Sequence, residues 1–400
     1  MPPLLTPDLH SLLEARHHDP FGWLGRHPQP DGTVVVRALR PDTARIEIAE
    51  ANAPMLRLGD TDLFEWRGPA RLVPVPYRLR ITAGSGEVSE AYDPYCFGPQ
   101  LDDAEIAAFN GGHHNAAHRL LGAHPWRVAG VAGVRFAVWA PNAGRVSVVG
   151  DFNRWDGRCH PMRVRGASGV WELFIPGVQA ALYKYEIWNR HSGALRLKTD
   201  PFAREHEVRP ATASRFRETD PFRWQDTDWL DARRARDWLH EPLAIYEMHF
   251  GSWRRNPDGS PLTYRQAADQ LVPYVLEQGF THVEFLPLTE YPLDESWGYQ
   301  AVGYFAPTSR YGSPDDLRYL IDACHRAGLG VILDWVPGHF PRDSHGLAEF
   351  DGSTLFEYGD PQKGSQPDWG TLVFNFDRQE VRSFLLSSAR FWLEEFHVDG

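Results

Sequence analysis

Hydrophobic positions change their period once along this 400-residue chain. From about residue 20 to 210 they come in short alternating runs, among them Val34 and Val36, Phe136 and Val138, Val146 and Val148, and Tyr183, Tyr185 and Ile187, broken by Pro, Gly, Asn and Asp. Alternation puts every second side chain on one face, and many such strands at close spacing imply a β-sandwich. The runs also repeat. "LGRHPQPDGTVVVRALRPDTARIEI" from Leu24 is followed by "LFEW", "PYRLRI" and "YDPYCFG". "LGAHPWRVAGVAGVRFAVWAPNAGRVSVV" from Leu121 is followed by "VWEL", "LYKYEI" and "TDPFARE" in the same order. Two related sandwiches are therefore expected, over residues 20–105 and 120–210, joined by "LDDAEIAAFNGGHHNAAHRL".

After residue 240 short apolar runs alternate with helical spacing. "LAIYEMHF", "HVEFLPL" and "LGVILDWV" read as buried strands. "TYRQAADQLVPYVLEQG" ends on Gly279, "SPDDLRYLIDACHRAG" opens with an acidic capping box from Ser313 to Asp316 and closes on Gly328, and "DRQEVRSFLLSSARFWLEEF" gives a third helix. Strand–helix alternation with nearly continuous apolar strands predicts a parallel sheet covered by helices. Glu247, His249, Glu290 and Asp334 fall at or near strand C-terminal ends, where a (β/α)8 barrel places its chemistry. The final "HVDG" reads as the start of a fourth strand with Val398 pointing inward. The expected organisation is an N-terminal β-sandwich over 1–110, a second β-sandwich over 111–225, and the first half of a TIM-type barrel over 226–400.

Composition narrows the function classes. A net charge of −12 disfavours nucleic-acid and anionic-membrane surfaces. Three widely spaced cysteines give neither a disulfide framework nor a zinc site, and no leader pattern or 18-residue apolar run occurs, so a cytoplasmic chain is expected. The histidine pairs at 17–18 and 113–114 lack completing ligands; the group His339, Asp343 and His345 comes slightly closer to a metal set, and no metal and no cofactor is expected. Fifteen tryptophans are more than a core of this size needs. Exposed indoles suit the C–H faces of sugars.

The motifs now allow a comparison with known families. "DWVPGH" at 334–339 resembles the first signature of the α-amylase clan. "IYEMHFGSWRR", "FLPLTEYPLDESWGYQAVGYFAPTSRYG" and "DGSTLFEYGDPQKGSQPDWGTLVFNF" resemble signatures of the bacterial glycogen branching enzymes. The resemblance implies cleavage of an α-1,4 glucan with retention and transfer of the chain to a 6-hydroxyl, with glycogen or amylose as partner and a monomeric complete enzyme. Such chemistry needs two carboxyl groups about 5–5.5 Å apart. In the family the nucleophilic Asp lies a few residues past "FHVDG", and the acid/base Glu and a third Asp lie on later strands. None of the three is in this chain, and Asp399 is not expected to substitute, so residues 1–400 alone are expected to be inactive.

What the resemblance does assign is the supporting side of the −1 subsite. Asp334 would bind sugar hydroxyls, His339 would donate to the bound glucose, and Tyr299 would stack beneath it. Asp294, Trp297 and Gln300 in the same loop are weaker candidates. In the second sandwich, "GDFNRWDG" resembles the loop of a glucan-binding module, making Trp155 and Lys184 further candidates. Debranching and trehalose-releasing hydrolases share the layout but transfer to water, and a non-catalytic glucan-binding protein is the alternative from another class. An open half-barrel also exposes an edge strand, so residues 1–400 are expected to aggregate where residues 1–225 stay soluble.

Overall fold

The computed structural model describes residues 6–400. In the first sandwich, one sheet runs Gly25–Pro28, Thr33–Leu39, Leu63–Pro69, Leu56–Arg57, and the other Ala53–Pro54, Thr43–Ile48, Arg78–Ala83, Val88–Tyr92. The second sandwich has the same plan. One sheet runs Arg163–Val164, Val170–Pro176, Val131–Trp139, Gly122–Val128; the other runs Ala143–Gly150, Ala180–Asn189, Leu195–Lys198, with Ser214–Arg217 also on Ala180–Asn189.

The sequence repeat is thus a structural repeat, down to single residues. A register shift falls between Thr43 and Arg45 in one copy and between Ala143 and Arg145 in the other. His27 Nε2 meets the Leu24 carbonyl at 2.9 Å, and His124 Nε2 meets that of Leu121 at 2.9 Å. Tyr77 donates to Asp93 where Tyr183 donates to Asp200. Each buried hydroxyl sits on a buried carboxylate, which satisfies both groups without water.

The joining segment is not a free linker. Its helix Asp103–Asn110 and turn Ala117–Leu120 lie against the last helix of the chain, where Ser383 Oγ donates to the Phe109 carbonyl at 2.9 Å and Ser387 Oγ accepts from Ala117 N at 2.7 Å.

Beyond residue 240 three strands pair in parallel: β1 (Ile245–Met248), β2 (His282–Phe285) and β3 (Gly330–Leu333). They alternate with helices α1 (Tyr264–Glu277), α2 (Pro314–Arg326) and α3 (Gln379–Glu395). Thr263 and Ser313 cap α1 and α2 with reciprocal boxes, and Gly279 and Gly328 take positive φ just past the helix ends. Tyr246, Val283, Phe285 and Val331 pack into the main hydrophobic core, which also receives side chains from α1, α2 and α3. Residues 398–400 add beside β3, with Asp399 N donating to the Val331 carbonyl at 2.7 Å and Leu333 N to that of Gly400 at 2.9 Å. The architecture is two sandwiches followed by the first part of a (β/α)8 barrel. Among the described residues, no helix is long and apolar enough to cross a membrane.

Candidate functional site

The site begins where β3 ends. Asp334 is the first residue past the strand, and its own N–H donates to the Phe285 carbonyl of β2 at 2.9 Å, which fixes the carboxylate at the C-terminal rim. Tyr299 reaches the same point from the loop after β2, donating its hydroxyl to Asp334 Oδ2 at 2.5 Å. A phenol bound to a carboxylate resists ionisation. Partial burial raises the Tyr299 pKa first, and the bond to Asp334 raises it further. Tyr299 is 36% exposed, so part of the residue stays accessible while its hydroxyl is fixed.

Two consecutive residues aim that ring. Trp297 at φ 56° and Gly298 at φ 93° both lie in the left-handed region, and a Cβ on Gly298 would meet the Pro287 carbonyl oxygen at 2.4 Å. The chain therefore turns tightly just ahead of Tyr299. Trp297 stacks on His249, at the end of β1, with ring centroids 5.6 Å apart.

His339 completes the rim. Its carbonyl accepts from the Tyr304 hydroxyl at 2.9 Å, while its buried Nδ1 has no partner among the described residues. Burial lowers its pKa, so near neutrality the ring is an uncharged imidazole. A buried polar nitrogen without a partner is costly, and a bound hydroxyl can relieve that cost.

Below Asp334 the strand interior is acidic. Glu247 of β1 is the register partner of Glu284 of β2, placing two carboxylates abreast. The Glu284 pKa is raised by burial, then by the neighbouring charges of Glu247 and Asp334. The apolar-run reading overlooked Glu284 because it sits inside "HVEF"; a single acid within a buried strand was the available signal.

The other sequence candidates divide. Gln300 is spent on the backbone, its Nε2 donating to the Trp369 carbonyl at 3.3 Å. Asp294 is held by two arginines, Arg209 and Arg310, each at 2.8 Å, and so ties the loop to the segment leaving the second sandwich. Glu290 is buried and paired with Arg310 at 2.8 Å, a structural role. Lys184 donates to Thr212 Oγ1 at 2.6 Å, and burial lowers its pKa. Trp155 is solvent-exposed in its loop. That loop leans toward the first sandwich, where Arg158 meets Asp62 at 3.1 Å and Arg40 reaches the Cys159 carbonyl. The structure therefore does not gather Lys184 and Asp294 into an open sugar-facing set.

Asp399 is equally committed. It accepts from Arg233 at 2.7 Å, Trp229 Nε1 at 3.0 Å, His325 Nε2 at 3.1 Å and Val331 N at 2.7 Å. Val331 is the second residue of β3 and Asp334 follows its end, so Asp399 lies toward the opposite end of the strands from the rim. No group of three His, Cys, Asp or Glu among the described residues is arranged to hold a metal ion.

Comparison with known proteins agrees with this layout. The chain matches the models for the N-terminal domain of the alpha-1,4-glucan branching enzyme GlgB at residues 6–95, carbohydrate-binding module 48 (isoamylase N-terminal domain) at 120–203, and the alpha amylase catalytic domain at 267–369. It is 55% identical to a protein of Nitrosococcus oceani named 1,4-alpha-glucan branching enzyme GlgB, over 98% of this chain and 52% of that protein. Proteins of the same name from Methylococcus capsulatus, at 54% identity, and Nitrosospira multiformis, at 56%, align with 99% and 98% of this chain and each with 54% of their own length. The chain thus spans about half the length of the curated relatives it matches. Among solved structures, a putative alpha amylase of Salmonella typhimurium superposes with a TM-score of 0.55 at 28% identity, over 70% of this chain and 42% of that one.

Proposed function

Since the chain belongs to the 1,4-alpha-glucan branching enzyme family, we propose that its barrel rim is the glucan-holding half of a branching site. The observation that carries this reading is the 2.5 Å hydrogen bond from Tyr299 to Asp334, with His339, on the segment that follows Asp334, keeping a buried nitrogen unpartnered. In the reading, Asp334 accepts from hydroxyls of the glucosyl unit at the bond to be broken. His339 donates to the same unit and helps to hold it in place for the reaction. Tyr299 lies flat against the sugar, its face favourable to the oxocarbenium-like transition state. Trp297, stacked on His249, adds a second aromatic surface to the same rim.

The covalent step needs a nucleophile and an acid/base pair about 5–5.5 Å apart. The reading assigns neither role to Asp399, whose carboxylate is fully engaged. Glu247 and Glu284 lie one layer below the rim, and the reading keeps them as part of the site's negative field. Residues 1–400 then bind and orient the glucan, and branching requires carboxylates on the strands that complete a barrel. We place the reaction product as an α-1,6 branch in a glycogen-like polymer.

The test has two arms. Maltoheptaose titrated into the 400-residue chain should bind, and Asp334→Asn and Tyr299→Phe should each weaken it several-fold; unchanged affinity in both variants refutes the assignment. In a protein extended to the length of its relatives, the iodine colour of amylose should fall without new reducing ends. New reducing ends would make it a hydrolase.

A further inference from the structure

Two tryptophans are more exposed than any other large aromatic on the chain's described surface, Trp369 at 62% and Trp297 at 55%, and both lean on rim histidines. Trp297 packs on His249, and Trp369 packs on His339 with centroids 5.1 Å apart. Single exposed apolar residues are ordinary. Two indoles set against the histidines that follow β1 and β3 of one barrel face are a pattern.

Trp369 sits where a large apolar side chain has nothing of its own to bury. It occupies the tip of the hairpin in which Ser365–Gln366 pairs with Thr371–Val373. The tip, Pro367, Asp368, Trp369 and Gly370, has the turn residues expected of such a loop except for the indole. The tip is also fixed from below. Arg342 donates to the Gly370 carbonyl at 3.1 Å and to Ser365 Oγ at 2.7 Å, and Gln300 holds the Trp369 carbonyl at 3.3 Å. Gln300 directly follows Tyr299, so the hairpin and the Tyr299 turn are one connected unit. The indole is therefore presented in place before any ligand arrives, which lowers the cost of ordering it on binding.

We propose that Trp369 is a stacking platform for a glucosyl unit adjoining the one held by Tyr299 and Asp334, and that Gln300 and Arg342 are positioning residues for it. The inference rests on the glucan reading of the rim. A linear glucan offers an apolar C–H face on each sugar, so a second aromatic surface at a fixed offset from Tyr299 sets where along the chain the enzyme grips. The same platform makes a single glucose a poor ligand and a linear oligosaccharide a good one.

The experiment is hydroxyl-radical oxidation of the 400-residue chain with and without maltoheptaose, read by peptide mass spectrometry. Trp369 and Tyr299 should both be protected, while Trp126, exposed on the second sandwich away from the rim, should oxidise at the same rate in both samples. Trp369→Ala should weaken maltoheptaose binding about fivefold, and Trp369→Phe should restore most of it, as expected for loss and recovery of one aromatic stacking surface. Gln300→Ala should reduce the protection of Trp369 without removing that of Tyr299. If Tyr299 is protected and Trp369 is not, the platform is wrong and the rim reading stands. If neither is protected, both fail.

Discussion

Asp399 shows how much the surroundings of a single carboxylate decide. Burial alone would raise its pKa, but the hydrogen bonds and charge of His325, the Val331 N–H and Trp229 outweigh that and hold it at about 2, against 3.8 for a free side chain. Asp226, which accepts from His325 Nδ1 at 2.9 Å and His397 Nδ1 at 2.8 Å, is lowered in the same way. His325 lies between the two carboxylates, its Nδ1 at Asp226 and its Nε2 at Asp399. A folded pKa below the unfolded one contributes stability that is complete above pH 3.8 and is lost as pH falls through about 2. For Asp399 the linkage amounts to about 2 kcal/mol. Asp399→Asn should therefore lower the melting temperature by a few degrees at pH 7 and flatten the acid limb below pH 4, in calorimetric scans across pH. Maltoheptaose affinity should not change, because the rim lies past the other end of β3.

At the scale of elements, the turn ahead of Tyr299 is the most demanding piece of backbone near the site. Gly298→Ala places a Cβ against the Pro287 carbonyl in a left-handed conformation, a local cost of about 1–3 kcal/mol that the turn can relieve only by swinging Tyr299 off Asp334. Titration calorimetry should show maltoheptaose binding reduced at least as far as in Tyr299→Phe. Ser313→Ala is the counterpart. It removes the side-chain cap of α2 and should lower stability by about 1 kcal/mol without touching affinity. That cap was readable in the sequence, as were Gly279 and Gly328, because a helix end is decided by residues three or four apart. The strands were readable for the same reason, since alternation is local. What the sequence could not show were partners far along the chain. Asp294 meets Arg209, Gln300 a backbone carbonyl 69 residues on, and Lys184 Thr212, so these three residues of site-like chemistry have partners within the chain that local pattern does not reveal. Asp334 and Tyr299 came from motif resemblance; their hydrogen bond across 35 residues is visible only in the fold.

The whole molecule is joined more tightly than a chain of three units would suggest. Val34, Val36, Ile46, Phe64 and Tyr77 form a core within the first sandwich, whereas the second sandwich and the barrel share one continuous core that Leu39, Leu63 and Tyr95 of the first sandwich also join. Phe202 of the second stacks on Phe305 of the other at 4.8 Å, and Trp139 meets Phe356. Lys198 is the polar rivet of that seam. Its buried ammonium donates to the Ser344 carbonyl at 2.7 Å and the Ala348 carbonyl at 2.6 Å, while burial, with Arg196 adding to it, pulls the pKa down to about 8. Removing everything after residue 225 would uncover Phe202 and Trp139 and leave Lys198 without its acceptors. The fold therefore predicts that residues 1–225 aggregate, the reverse of the expectation drawn from the sequence pattern, and light scattering of that fragment decides between them. The full 400-residue chain provides the complementary measurement. Lys198→Met keeps the stem but strands two buried carbonyls, so it should destabilise the shared core by about 2–4 kcal/mol. Hydrogen exchange should register that loss at Phe305 and Phe202 together while the strands around Val36 and Ile46 keep their protection. Loss of protection confined to the second sandwich would mean that it and the barrel fold as separate bodies that merely touch.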